Sequence, residues 1–274
     1  MKTILVGTDF SSPAKNAVYY AAELAKFFSA KLVLVNAVPM PLGGYDTGAP
    51  LEVMADLMEN SKTLLKSLKQ ELIRKDYSAD IAVVSEIGNA FTVMKDVAAS
   101  HSADMLVMGM VGEGGFLKQH LIGSFALRAA RELTLPLFIV PETAEYRRIH
   151  HICFACDMDK IKESTVLYTA KYFATAFDAE IELVTVEKKD MALVSSKDEP
   201  YTFLEQRLEN TKHKTVYIKD NNVARALDYY LKFHTTDLVM VNPKKHTFFE
   251  TLFEESVTRK LAFSVQVPLL IVHG

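Results

Sequence analysis

Apolar residues along the chain follow two alternating rhythms. Runs apolar at consecutive positions, Thr3–Gly7, Lys31–Val38, Ile81–Ser85, Met105–Met108 and Pro136–Val140, read as strands buried on both faces. Between them the spacing lengthens to that of a helix. Ala14, Ala17, Val18, Ala21, Leu24, Ala25 and Phe28 recur at helical steps behind Pro13, which a first turn tolerates, with Ser11 or Ser12 as N-cap. After the Pro/Gly-rich loop Pro39–Pro50, a charged amphipathic helix is expected from about Leu51 to Lys75. A third helix is expected over Asn89–Ser100 and a fourth over Gly123–Leu133. The order β-α-β-α-β-α-β-α-β implies a parallel sheet covered on both sides. In such sheets the ligand crevice lies outside the carboxyl ends of the strands, where the strand order reverses. Asp9 follows the first strand and Gly109 the fourth, as a crevice between those two strands requires.

The pattern then repeats. Ile4-Leu5-Val6-Gly7-Thr8-Asp9 aligns with Ile152-Cys153-Phe154-Ala155-Cys156-Asp157, and the register holds through Val18 with Val166 and Tyr20 with Tyr168. Asp104-Met105-Leu106-Val107-Met108 aligns with Asp237-Leu238-Val239-Met240-Val241. Leu135-Pro136-Leu137-Phe138-Ile139-Val140 aligns with Val267-Pro268-Leu269-Leu270-Ile271-Val272. Three matches in one order, with length differences confined to loops, mark two domain-sized copies. A polar junction, Pro141 to Arg148, separates expected domains over 1–142 and 149–274.

With 274 residues and a hydrophobic fraction of 49%, the chain can fill two cores. A formal net charge of −3 and a pI near 6.3 argue against general attraction to nucleic acid or an anionic membrane. No apolar run approaches the roughly 18–20 residues of a membrane span, and the N-terminus reads as a strand, so a cytoplasmic location is expected. The two cysteines, Cys153 and Cys156, form a C-x-x-C spacing inside an apolar run. Residues three apart on a strand point to opposite faces, so neither a redox pair nor a zinc site is expected there. His150 and His151 mark the start of that strand. The aromatic pairs Tyr19-Tyr20, Tyr229-Tyr230 and Phe248-Phe249 suit one ring in the core and one toward the partner domain.

Candidate chemistry concentrates in residues 107–124. Gly109, Gly112, Gly114 and Gly115 follow an apolar strand, and Gly123-Ser124 then opens a helix. Glycines leave no Cβ between backbone amides and a ligand, and a helix N-terminus adds free N–H groups, an arrangement suited to nucleotide phosphates. The stretch is neither a P-loop, lacking Gly-Lys-Ser/Thr, nor a G-x-G-x-x-G after the first strand. Lys118, His120 and Arg128 are the nearby cations. No Ser-His-Asp order, paired carboxylates or metal-binding cluster accompanies them, so a dedicated catalyst is not expected.

On these residues the chain resembles the universal stress protein family in its tandem two-domain form. The likeness rests on Val6-Gly7-Thr8-Asp9-Phe10-Ser11, Gly88-Asn89, Asp104-Met105-Leu106-Val107-Met108-Gly109, the Gly109-x-x-Gly112 step toward Gly123-Ser124, and Leu135–Pro141. It implies two tandem Rossmann-like (adenine nucleotide alpha hydrolase-like) domains. Each would be a five-stranded parallel sheet of order 3-2-1-4-5 with helices on both faces. It also implies an adenine nucleotide, ATP or else ADP or AMP, together with Mg²⁺. By the same resemblance Gly7, Thr8 and Asp9 would contact adenosine, and Asp9 would help hold the Mg²⁺. Ala37 or Val38 would offer backbone groups to the adenine. Met108, Gly109 and Gly112 would line ribose and phosphates, and Gly123 and Ser124 would cradle the phosphate tail. Ten residues lie between Gly112 and Gly123, one more than is usual in the family.

The second copy departs further. Asp157 persists, but Asn242-Pro243-Lys244-Lys245-His246-Thr247-Phe248-Phe249 replaces the glycines, and Glu255-Ser256 stands where Gly123-Ser124 stood. Pro243 removes a donor and the phenylalanines add bulk, so this half is expected to have lost the nucleotide and to pair with the first as an intramolecular pseudo-dimer. Further homo-oligomerisation stays open. The expected function is a stress-response sensor or signalling module binding one adenine nucleotide in its first domain. A slow ATPase and a protein-interaction scaffold with a vestigial site are the alternatives.

Overall fold

Leu32, Val33, Leu34, Val35 and Asn36 are buried at five consecutive positions of one strand, which only a sheet covered on both faces permits. The computed structural model describes residues 1–40, 51–77, 80–110, 128–129, 132–161, 166–187, 198–242 and 267–273. It divides into two units, Met1–Tyr146 and Arg147–Gly274.

In the first unit, β1 (Thr3–Gly7), α1 (Ser12–Phe28), β2 (Lys31–Val38), α2 (Leu51–Arg74), β3 (Ile81–Ile87), α3 (Ala90–Ser100), β4 (Met105–Met110) and β5 (Leu137–Pro141) follow in turn. All neighbouring strands are parallel, in the order β3-β2-β1-β4-β5. The reversal of strand order falls between β1, which pairs with β2 on one side, and β4 on the other. Helix α1 packs on β1, β4 and β5, whereas α2 and α3 both pack on β2 and β3. Small residues make the α1 contact close: Ala14, Ala17, Ala21 and Ala25 are all buried. Ser11 caps the helix start, and Ser29, in the left-handed region at φ 52°, ends it. Asn89 caps α3 by accepting from the Phe91 N–H at 3.0 Å. Of the expected fourth helix, only 128–129 and 132–133 lie within the described residues. There Leu133 donates its N–H to the Ala129 carbonyl at 3.0 Å, a helical bond.

The second unit repeats the plan with β6 (His151–Ala155), α4 (Met158–Ile161), α5 (Val166–Phe177), β7 (Glu180–Glu187), α6 (Asp198–Arg207), β8 (His213–Lys219), α7 (Val223–Phe233), β9 (Leu238–Val241) and β10 (Leu269–Ile271). Its parallel order is β8-β7-β6-β9-β10. One carboxylate pins the first strand of each unit to the fourth. Asp104 Oδ2 accepts from the Lys2 N–H and, at 2.9 Å, from the Thr3 N–H. Asp237 Oδ2 accepts from the His150 and His151 N–H groups at 2.8 and 2.9 Å. The histidine pair therefore marks the start of β6. Tyr20 and Tyr230 face their cores, whereas Tyr19 is engaged by Glu71 of α2 and by Lys75 just beyond it, within its own unit. Tyr229 is exposed beside Phe233, and Phe248-Phe249 lies outside the described residues.

A buried carboxylate distinguishes the second core. Glu182 of β7 pairs in register with Cys153, as Val33 of β2 pairs with Leu5. Burial pushes its carboxyl up. Hydrogen bonds from the Lys214 ammonium and the Tyr230 hydroxyl outweigh that and hold it below the ordinary carboxylate range.

Candidate functional site

The carboxyl ends of β1 and β4 lie side by side, with Val6 opposite Val107. Beyond β1 the chain turns into α1 through Thr8, Asp9, Phe10 and Ser11, and side chains hold the turn. The Thr8 hydroxyl accepts from the Phe10 N–H at 3.0 Å. Asp9 Oδ1 accepts from the Ser11 N–H at 3.0 Å and from the Ser11 hydroxyl. These overlapping turns keep Phe10 at φ 64°, a left-handed conformation that costs an aromatic residue about 1–2 kcal/mol. Thr8 is buried and Asp9 exposed, and among the described residues no donor meets Asp9 Oδ2. The first turn of α1 opens at the same edge. Pro13 has no N–H and that of Ala14 reaches the Ser11 hydroxyl at 3.5 Å, so the Ser12 N–H is the donor left there among the described residues.

The glycines of this edge serve packing. Gly109 was expected just past β4, but it sits within the strand: Gly109 pairs with Val140 and Met110 with Pro141. A Cβ on Gly109 would lie 2.3 Å from the Pro13 carbonyl oxygen and 2.9 Å from the Ala14 nitrogen. Its missing side chain thus lets α1 settle onto β4. A Cβ on Gly7 would meet the Met94 methyl of α3 at 2.8 Å. Met108 is half-buried beside Ile139.

On β2, Val38 is buried and its carbonyl already accepts from the Gly88 N–H at 2.9 Å, leaving one lone pair; Ala37 is half-buried next to it. The neighbouring Asn36, which the sequence reading passed over, is the more active residue. Its Nδ2 donates to the Thr8 carbonyl at 2.7 Å, and its Oδ1 accepts from the Ser61 hydroxyl of α2 at 2.7 Å. Ser61 in turn lies 2.6 Å from the Ser85 hydroxyl of β3. The signal for it was a lone amide inside the apolar run Leu32–Val38.

Gly112, Gly123 and Ser124, with Lys118 and His120, lie outside the described residues. Arg128 is already engaged: its guanidinium bonds Glu132 at 2.8 Å and lies 4.2 Å from the Phe91 ring centre.

In the second unit Cys156 takes the place of Thr8. Its N–H donates to the Val184 carbonyl at 3.0 Å, as that of Thr8 does to Val35 at 2.9 Å. The Asp157 position differs from that of Asp9, because helical turn α4 starts at once and Ile161 donates its N–H to the Asp157 carbonyl at 3.0 Å. Both cysteines are buried as free thiols. Burial pushes Cys156 up to about 12 and Cys153 higher still, which suppresses thiolate chemistry. The replacement loop, Pro243 to Ser256, lies outside the described residues. No group of metal-binding side chains occurs among the described residues, and no helix among them is long and apolar enough to cross a membrane.

The model of the universal stress protein family matches residues 1–141. Among solved structures, a universal stress protein from Archaeoglobus fulgidus DSM 4304 is similar over 99% of this chain and 98% of its own, with a TM-score of 0.75 and 14% identity. A putative universal stress protein from Pseudomonas aeruginosa UCBPP-PA14 is similar over 100% of this chain and 93% of its own, with a TM-score of 0.58 and 11% identity. At such identities the likeness speaks for the fold alone. No curated protein matches the sequence.

Proposed function

The chain belongs to the universal stress protein family, and we propose that its first unit binds one adenine nucleotide, of the ATP type, as a sensor or signalling module rather than a catalyst. The Asp9 turn carries this reading. It presents an exposed carboxylate, one oxygen fixed by Ser11 and the other uncommitted among the described residues, at the switch between β1 and β4. Mg²⁺ is held in nucleotide sites by one or two carboxylates plus phosphate oxygens, so the residues present fit a nucleotide-bound Mg²⁺ with Asp9 as its protein ligand. The ion would supply charge neutralisation to the phosphates. The Ser12 N–H at the positive end of α1 adds a donor. Phosphoryl transfer needs a positioned base and a free cation as well, and of the three cations expected near the loop the one among the described residues, Arg128, is bound to Glu132. The second unit is read as empty of nucleotide, because Asn242-Pro243-Lys244-Lys245-His246-Thr247-Phe248-Phe249 stands where the first unit has its glycines, with one backbone donor fewer and added bulk.

Calorimetric titration of ATP with and without Mg²⁺ tests the proposal. Saturable binding of about one nucleotide per chain is expected. Asp9→Asn keeps an acceptor for the Ser11 N–H while removing the charge, so Mg·ATP should bind about tenfold more weakly, the loss of one charge-assisted contact. Lack of saturable binding to the intact chain overturns the reading. Undiminished Mg·ATP affinity in Asp9→Asn removes that residue from the site.

A further inference from the structure

The buried polar chain behind the Asp9 turn has a direction. Thr8 offers a carbonyl, which only accepts, so the Asn36 amide must present Nδ2 to it and Oδ1 to Ser61. Ser61 then spends its one proton on Asn36. The Ser85 proton has two acceptors in reach, Ser61 Oγ at 2.6 Å and Met58 Sδ at 3.7 Å, of which oxygen is the stronger. Donation therefore runs Ser85 to Ser61 to Asn36 to the Thr8 carbonyl, each bond polarising the next in a dry interior where Asn36 and Ser61 are 8% and 4% exposed. The chain crosses three strands, and Ser61, with the nearby Met58, anchors it to α2.

The second unit contains a partial copy. The Thr185 hydroxyl of β7 donates to the Cys156 carbonyl at 2.8 Å, the same tether as Asn36 to Thr8, made by one oxygen in place of an amide whose donor and acceptor are separate atoms. In the first unit the continuation into the second helix accompanies a turn that carries an exposed carboxylate.

We infer that Asn36 is a positioning residue for the nucleotide turn and that Ser61 makes α2 the element through which the first unit reports nucleotide occupancy. The inference rests on the binding reading above. A ligand on the Asp9 turn tightens Thr8, Thr8 tightens Asn36, and the amide passes the restraint to Ser61. Tether and relay separate by substitution. Asn36→Leu removes both, Asn36→Thr keeps a donor for Thr8 as Thr185 does, and Ser61→Ala removes the relay alone.

Hydrogen exchange of the full chain with and without Mg·ATP, combined with calorimetry, tests this. Mg·ATP should slow exchange across α2 in the wild type. Ser61→Ala should bind Mg·ATP within about threefold of wild type, yet lose the slowing in α2. Asn36→Leu should bind about tenfold more weakly, and Asn36→Thr should recover affinity. A loss of fold alone would move all of these together. If α2 of Ser61→Ala is slowed as in wild type, or Asn36→Thr binds as weakly as Asn36→Leu, the inference is overturned while the binding reading stands. A wild type that binds no ATP in the same titration overturns both.

Discussion

Replacing Gly109 by alanine separates two explanations of a glycine at a candidate ligand edge. If the position were glycine only for close approach of a ligand, alanine would leave the free protein unharmed. Gly109 has no left-handed φ, so alanine would even gain about 0.4–1 kcal/mol from the stiffer unfolded chain. The structure demands the opposite. The new Cβ would stand 2.3 Å from the Pro13 oxygen, 2.6 Å from the Pro13 carbonyl carbon and 2.9 Å from the Ala14 nitrogen. All three are backbone atoms of a capped first turn, with no side-chain rotamer to give way. Forcing α1 or β4 aside costs about 1–3 kcal/mol, and backbone on both sides places this case at the upper end. Net of the unfolded-state gain, about 2 kcal/mol of destabilisation remains, a fall in melting temperature of about 4–8 °C for a unit of this size. The chain has no tryptophan, so far-UV circular dichroism in urea and on heating is the assay. Gly7→Ala is the internal comparison, because there the Cβ meets only the mobile end of Met94 and should cost less than about 1 kcal/mol. A Gly109→Ala protein as stable as wild type, or more so, refutes the packing account and returns this glycine to the ligand.

The buried carboxylate of the second unit gives a pH dependence of definite sign. Glu182 is held below its ordinary value, so its share of stability is present above pH of about 4.5 and lost as pH falls through the lowered value; Glu182→Gln should flatten the acid limb of a stability-against-pH curve. Lys214→Met should raise that carboxyl and cost about 1–2 kcal/mol at neutral pH, less than a fully buried pair would because the ammonium is half exposed; an unchanged urea midpoint contradicts it. The cysteines should be silent to a thiol reagent at pH 8 in the native chain and both react in denaturant, since burial lifts Cys156 to about 12 and Cys153 further; rapid native labelling of either shows the β6 core to be open.

Strand and helix positions were legible because periodicity and caps are local. Ser11, Pro13 and Asn89 stand where the helix starts need them, and consecutive burial along β2 follows from the unbroken apolar run. The misplacements come from long-range contacts. Ending β4 at Met108 treated Gly109 as the start of a loop, yet the ladder to Val140 and Pro141 carries the strand on to Met110. What selects glycine there is the backbone of Pro13, a neighbour no local pattern announces. Likewise β3 runs on to Ile87 because Val38 offers it a register partner. At the edge itself, Thr8 and Asp9 were readable from their place after a strand. Asn36, Ser61 and Ser85 were not, since each is a polar residue in apolar surroundings whose partner lies far along the chain. Ser61 shares the face of Leu65, Leu68 and Leu72, where periodicity alone predicts an aliphatic side chain.

The two copies within one chain provide their own control for dividing fold from function. Both keep an aspartate that pins the first strand to the fourth, through Asp104 and Asp237. Both keep the N–H after the first strand bonded to the second, through Thr8 to Val35 and Cys156 to Val184. Both keep a side chain tethering the carbonyl at that position, through Asn36 and Thr185. Features shared by a unit with the glycine loop and one without it are requirements of the parallel sheet. Among the described residues of this edge, the Asx turn that holds Phe10 left-handed and the relay through Ser61 belong to the first unit. A turn costing about 1–2 kcal/mol has no place in a fold that the second unit builds with an ordinary helical turn after Asp157. On the proposed reading, its place beside an exposed carboxylate would serve the nucleotide, and the relay behind it would carry occupancy to α2.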